Sequence, residues 1–193
     1  ANINCQGYLT PCFNLPSFAL GEQLGELPFS SHWDSHEVVS FRERIDRGQY
    51  LAQCNCLKAN SSIINPSRGK FKASSPIADQ NDYSRRVQFM EIHPTNQCNL
   101  ECSWCTYNQK KKKKYLPFDS LKKIAEYKPE EILIVGGGEP TFYQKKKKNF
   151  NDFILRLREL LPFTKLMLAT NGTYIPQGDW VNEIYSIGIS VHG

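Results

Sequence analysis

From Val87 to the end of the chain, short apolar runs alternate with segments whose apolar residues recur every three or four positions. Val87 to His93 reads as a strand, and Ile132 to Val135 is a short continuous apolar run of the kind buried on both sides in a parallel sheet. Between them Asp119, two residues after Pro117, is placed to cap a helix carrying Leu121, Ile124 and Ala125 on one face. Phe150, Phe153, Ile154, Leu157, Leu160 and Leu161 mark an amphipathic helix. Leu166 to Ala169 predicts a further strand, Trp180 to Tyr185 a short helix, and Ile187 to Val191 a last strand. This βαβα order predicts a parallel sheet covered by helices, either an open α/β sheet or part of a barrel.

The first 58 residues are patterned differently. Asn2 to Pro11 alternates around Gln6-Gly7 and predicts a hairpin with glycine at the turn. Asp34, with Glu37 three residues later, predicts a helix start, followed by Val38, Phe41 and Ile45 at helical spacing and Gly48 to end it. Residues 59–84, rich in Ser, Asn, Asp, Lys and Pro, lack periodicity and read as a linker. The chain is thus expected to divide into a small cysteine-containing α+β module at 1–58, a linker at 59–84 and an α/β unit at 85–193.

Composition narrows the classes. With 193 residues, 40% hydrophobic and 22% charged, the chain is long enough for one good core and too apolar for a disordered one. Its apolar runs fall short of the roughly 18 to 20 residues that span a bilayer, and Ala1 to Cys5 has no secretory pattern. A cytoplasmic protein with no membrane partner is therefore expected. It starts without Met and stops within an apolar strand pattern, and so reads as a fragment of something longer.

The formal charge of +5 is local: Lys110 to Lys114 and Lys145 to Lys148 supply nine cations, and without them the balance is −4. Such runs are usually solvated, self-repelling loops, whereas a nucleic-acid surface interleaves basic with aromatic or polar residues. Both tracts follow candidate functional loops, which leaves a polyanionic substrate open.

The seven cysteines carry the chemistry. Close spacing without a secretory context points to metal ligation rather than disulfides. Cys98-Asn-Leu-Glu-Cys102-Ser-Trp-Cys105 follows the first strand of the α/β unit. A CxxxCxxC loop can wrap one corner of a cuboidal [4Fe–4S] cluster, giving thiolates to three irons and leaving the fourth open to an exogenous chelating molecule. Two other readings stand beside this one: a zinc ion held by the three cysteines and His93, and inert buried thiols.

The loop resembles the signature of the radical S-adenosylmethionine (radical SAM) superfamily, including the aromatic Trp104 before the last cysteine. Val135-Gly136-Gly137-Gly138-Glu139-Pro140, after the second strand, resembles that family's GGEP motif. Thr170-Asn171-Gly172, at a later strand end, is similar to the segment bordering the cofactor ribose, and Ser190 matches a position that often faces the cofactor. The resemblance covers residues 85–193 and implies a partial (β/α) barrel, here truncated to about four of the usual six strands. It implies a [4Fe–4S] cluster on Cys98, Cys102 and Cys105, with S-adenosyl-L-methionine bound near Trp104, Gly137, Gly138, Glu139, Thr170, Asn171 and Ser190. It further implies reductive cleavage of S-adenosylmethionine to a 5′-deoxyadenosyl radical that abstracts hydrogen from a substrate. The electron would come from a donor such as flavodoxin or ferredoxin.

Each motif also has a plainer reading. Glycines at a strand end admit close backbone approach or simply make a turn, and Glu139 would either accept from a cofactor ammonium or sit in solvent. Trp104 offers a flat face for adenine or excludes water. His192, where many relatives carry an acid, reads as a substrate contact or, more plainly, as a strand-end polar residue. Cys5, Cys12, Cys54 and Cys56 supply four further thiols, in an order with Gly7, Leu20-Gly21, His32-Trp33 and Gly48 that resembles the SPASM or twitch auxiliary-cluster domains. That likeness implies a second [4Fe–4S] cluster and favours a peptide or protein substrate over a nucleotide, RNA or small molecule. Cys54-Asn-Cys56 departs from the usual CxxC, and ordinary thiols remain the alternative.

Overall fold

Four parallel strands build the centre of the molecule, and their sequences show which face they bury. In the computed structural model, residues 2–3, 5–10, 22–23, 34–46, 87–105, 112–174 and 176–191 are described. Strands β1 (Asn2–Ile3), β2 (Tyr8–Thr10) and β3 (Glu22–Gln23) are followed by helix α1 (His36–Asp46) and β4 (Phe89–Ile92). Helix α2 (Ser120–Ala125), β5 (Glu131–Ile134), the hairpin β6 (Gln144–Lys145) and β7 (Lys148–Asn149), and helix α3 (Phe150–Leu160) come next. β8 (Lys165–Thr170) and β9 (Ser186–Ile189) complete the series, with 3₁₀ turns at Pro140–Phe142 and Asp179–Glu183. The main sheet runs β3-β2-β1-β4-β5-β8-β9, with β4, β5, β8 and β9 mutually parallel.

Met90, Ile132 and Leu166 share one row of this sheet, and Ile92, Ile134, Leu168 and Ile187 the next. Met90, Ile92, Ile132, Ile134, Leu166 and Leu168 are buried beneath Leu121, Ile124, Phe153, Ile154 and Leu157 of α2 and α3. Strand neighbours Leu133, Met167 and Ala169 point the other way and are only half-buried. The apolar run at 132–135 is therefore dry on one face rather than two, because both helices pack on the same side.

The expected hairpin at the N-terminus forms: Asn2 pairs with Thr10 and Ile3 with Leu9, with Gly7 at φ +80° in the turn. Its first strand also lies parallel to β4, Ile3 opposite Ile92, and the Ile3 carbonyl accepts the His93 N–H at 2.8 Å. Described N-terminal strands thus extend the same sheet. Gly48, the linker 59–84, Cys12, Cys54 and Cys56 lie outside the described residues.

Several local expectations are corrected. The helix expected to start near Asp34 begins at His36, where Ser35 Oγ accepts the Val38 N–H at 3.4 Å. Asp119 stands at the start of α2 in helical conformation and makes no side-chain cap. The second lysine tract is a tight hairpin, with Lys145 opposite Lys148 and Lys146 at φ +55°. Its next residue, Asn149, caps α3 in a reciprocal box with Asp152, at 3.1 and 3.0 Å.

Arg158 closes the far end of α3. Its guanidinium donates to the carbonyls of Leu161, Pro162, Thr164 and Glu183 and to Glu183 Oε2, at 2.8–3.2 Å. The side chain is 25% exposed, so water would compensate part of its loss. Arg158→Ala is expected to lower stability by about 2 kcal/mol in urea unfolding, and Arg158→Lys, which lacks the fork, to recover only part of it. An Ala variant as stable as the parent would dismiss this anchoring role.

Burial lowers the pKa of His93 below its ordinary 6.5, against a smaller opposing pull from Glu91. A histidine held neutral in the fold adds stability above pH 6.5, and that stability is lost as pH falls below it because the unfolded chain then binds more protons. His93→Gln should flatten the decline in urea midpoint between roughly pH 7.5 and 5.5, and an unchanged slope would show that His93 does not drive it.

Candidate cluster and cofactor site

All four sequence motifs lie at the carboxyl ends of the parallel strands, the edge where open α/β sheets bind ligands. The cysteine loop leaves β4, the glycine loop leaves β5, Thr170-Asn171-Gly172 leaves β8, and Ser190 follows β9. Hydrogen bonds from the returning chain close the neck of the cysteine loop. Asn96 receives the Lys114 N–H on Oδ1 at 2.8 Å and donates from Nδ2 to the Lys112 carbonyl at 3.0 Å. The buried Thr95 hydroxyl donates to the Lys114 carbonyl at 3.1 Å and accepts the Gln97 N–H at 3.0 Å. The end of the first lysine tract is therefore paired backbone, with Lys112 and Lys113 exposed and Lys114 half-buried. Tyr143, buried among Tyr115 and Phe153, holds the next turn by donating to the Leu116 carbonyl at 2.9 Å. Burial raises the pKa of its phenol far above the ordinary 10.

The glycine loop docks onto this neck. The Glu139 N–H donates to the Gln97 carbonyl at 2.7 Å, and a Cβ on Gly138 would stand 2.2 Å from that oxygen and 2.6 Å from the Asn96 carbonyl carbon. Glycine at 138 thus serves contact between two loops of the chain, a reason the sequence reading did not give. Gly138→Ala sets side chain against backbone, which cannot swing aside, and is expected to cost about 3 kcal/mol. A thermal midpoint equal to the parent's would show that the loops separate freely.

Glu139 is only 2% exposed, so it is not a solvent-facing loop acid. Oε1 accepts from Thr141 N–H and hydroxyl, at 3.2 and 2.8 Å, and from the Thr170 hydroxyl at 2.7 Å. Oε2 accepts the Asn171 N–H at 2.7 Å. The carboxylate thereby locks the glycine loop to the end of β8. Asn171 continues the chain of bonds, with Nδ2 at 3.0 Å from Asn99 Oδ1 and 3.6 Å from Cys98 Sγ. Thr173, bonded to both Asn171 and Asn99, completes the cluster.

Cys98 and Cys102 are half-buried, Cys105 is exposed, and its N–H closes a turn onto the Cys102 carbonyl at 3.0 Å. Cys98 Sγ also receives the Leu100 N–H at 3.5 Å. Two N–H donors on one sulfur suit a thiolate. Among the described residues no three His, Cys, Asp or Glu side chains converge to hold a single metal ion. A cuboidal cluster is compatible with this, since each cysteine meets a different iron.

Trp104 is 59% exposed on the same loop, and Ser190, also exposed, donates its N–H to the Thr170 carbonyl at 2.8 Å. Cys5 lies at the same sheet end, where burial pushes its thiol up against a smaller opposite pull from Lys114. His192 is outside the described residues. A groove of about 450 Å³ lined by Phe118, Lys122, Lys148, Asp152, Arg156 and other residues of that surface shares none of these site residues. Among the described residues, no helix is long and apolar enough to cross a membrane. Asn99, Thr141 and Thr173 were not singled out in the sequence, where they show only as polar residues beside the motifs.

Residues 92–191 match the radical SAM superfamily, and the chain belongs to it. Membership implies a [4Fe–4S] cluster and S-adenosylmethionine as cofactors, and it makes this an enzyme domain. The chain is 28% identical over 102 residues to a GTP 3′,8-cyclase of Geobacter sulfurreducens, an alignment covering 49% of this chain and 30% of that protein. Among solved structures it is similar to BtrN, in complex with AdoMet and 2-DOIA, at 18% identity and a TM-score of 0.43 over 53% of this chain and 45% of the other. The chain therefore spans less than half the length of these relatives.

Proposed function

We propose that this chain is part of an enzyme that cleaves S-adenosylmethionine reductively and takes hydrogen from an organic substrate. Four motifs of the family meeting at one sheet edge, two of them tied by the Glu139 carboxylate, are the observation that carries this reading. Cys98, Cys102 and Cys105 would hold the cluster, which when bound supplies one electron to the cofactor's C–S bond from a donor of the flavodoxin or ferredoxin kind. Trp104 would offer its exposed face to the adenine. The backbone of Gly137 and Gly138, with Glu139, Thr170, Asn171 and Ser190, would orient the cofactor.

For the substrate, likeness to a GTP 3′,8-cyclase supports a nucleotide. The peptide reading rests on the SPASM-like order of Cys5, Cys12, Cys54 and Cys56, and so does the auxiliary cluster. The parallel sheet is read as part of a (β/α) barrel, in a cytoplasmic protein. Anaerobically reconstituted and reduced protein is expected to form 5′-deoxyadenosine from S-adenosylmethionine, faster with GTP than with peptides. No cleavage product under any of these conditions would refute the enzyme reading, and stimulation by peptides alone would reverse the choice of substrate.

A further inference from the structure

Three polar side chains beside Cys98 form a closed ring that leaves one N–H of the Asn171 amide over. Asn171 Nδ2 donates to Asn99 Oδ1 at 3.0 Å, Asn99 Nδ2 to Thr173 Oγ1 at 2.8 Å, and the Thr173 hydroxyl to Asn171 Oδ1 at 2.7 Å. The Thr173 N–H also donates to Asn171 Oδ1, at 3.0 Å. Because a backbone N–H can only donate, the Asn171 amide oxygen must face Thr173, and its nitrogen must face the other way. That amide nitrogen has two hydrogens. One goes to Asn99, and the other is directed at Cys98 Sγ, 3.6 Å away. The backbone of Asn171 is fixed independently by the Glu139 Oε2 bond. Polarity, rotamer and position are thus all set by groups other than the sulfur.

From this we infer that Asn171 is a positioning residue, its pre-oriented amide donating to the Cys98 thiolate so as to stabilise the more electron-rich, reduced form of the cluster. The inference rests on the reading above that Cys98 is a cluster ligand, and it goes beyond that reading by giving Asn171, Asn99 and Thr173 a task at the sulfur. Hydrogen bonds to cluster sulfurs are among the features that set reduction potential. A donor aimed at sulfur raises the potential, and its removal lowers it.

The test is an EPR-monitored redox titration of the reconstituted full chain, with iron content measured on the same samples. Asn171→Asp keeps the acceptor for Thr173 and the shape of the turn, but replaces the donor by a charge facing Cys98. It is expected to shift the midpoint negative by at least a tenfold step in the one-electron equilibrium, about 59 mV. Asn171→Ala should shift it in the same direction by less. Thr173→Val, which removes one of the two donors holding the Asn171 amide oxygen and leaves residue 171 unchanged, should give a smaller negative shift, and with Asn171→Ala it decides the matter if the Asp variant takes up no iron.

A purely structural Asn171 would give a different order, Asp behaving as the parent and Ala losing iron, and that result overturns the inference. So do parental potentials in the Ala and Thr173→Val variants. Failure of the parent chain to take up any cluster would instead remove the ligand reading itself.

Discussion

Replacing Glu139 by alanine is expected to destabilise the fold by about 3 to 5 kcal/mol, more than any other single change near the site. The carboxylate is 2% exposed and accepts four hydrogen bonds at 2.7–3.2 Å. Truncation would leave their donors in a pocket closed to water. The hydroxyls of Thr141 and Thr170 can rotate to other acceptors, but the Asn171 N–H is fixed by the strand end and cannot. Each buried group so orphaned costs about 1 to 3 kcal/mol. Glu139→Gln keeps the volume and one accepting oxygen, so it should lose roughly half as much. Urea unfolding checks both, with the midpoint lowered and the slope unchanged if only the native state is affected. If the alanine variant came within about 0.5 kcal/mol of the parent, Glu139 would be no structural lock and its role would lie wholly with a bound ligand.

That lock shows where sequence reading reached and where it stopped. β5 and β8 were legible because Ile132, Ile134, Leu166 and Leu168 are apolar neighbours whose burial alternates. Helix α3 was legible because Phe150, Phe153, Ile154 and Leu157 repeat at its period. The strand-end loops were found because glycine and cysteine spacing is local. What ties the loops together was not local. Asn171 meets Cys98 across 73 positions and Asn99 across 72, and no pattern along the chain marks such a pair. Polar residues beside a motif look alike whether they face solvent or a thiol. The reason for Gly138 was hidden likewise, since the backbone at 96–97 that fills its Cβ position arrives from another loop. The lysine tract at 145–148 misled because composition reports charge and not the pairing of the backbone beneath it.

Cys102→Ala separates ligand from scaffold more sharply than any other variant. Cys102 is half-buried in a surface turn, and the bond that shapes the turn runs from the Cys105 N–H to the Cys102 carbonyl, which alanine retains. The metal-free variant is therefore expected to unfold within about 0.5 kcal/mol of the parent. After anaerobic reconstitution it should nevertheless lack the cluster of about four irons that the parent is expected to hold through its cysteine loop, and with it all formation of 5′-deoxyadenosine. Cys5→Ala is the matched control, because burial raises the pKa of that thiol and so disfavours the thiolate a metal requires. It should leave the loop's cluster in place. A parent that binds about eight irons, falling to about four in Cys5→Ala, would instead place an auxiliary cluster on the N-terminal cysteines. Parental iron content in Cys102→Ala would exclude that cysteine as a ligand and return the loop to the reading of ordinary thiols. Loss of iron together with a large loss of metal-free stability would point to a disturbed fold, not to a missing ligand. Only the dissociation of the two, with iron gone and stability intact, assigns the sulfur to the metal.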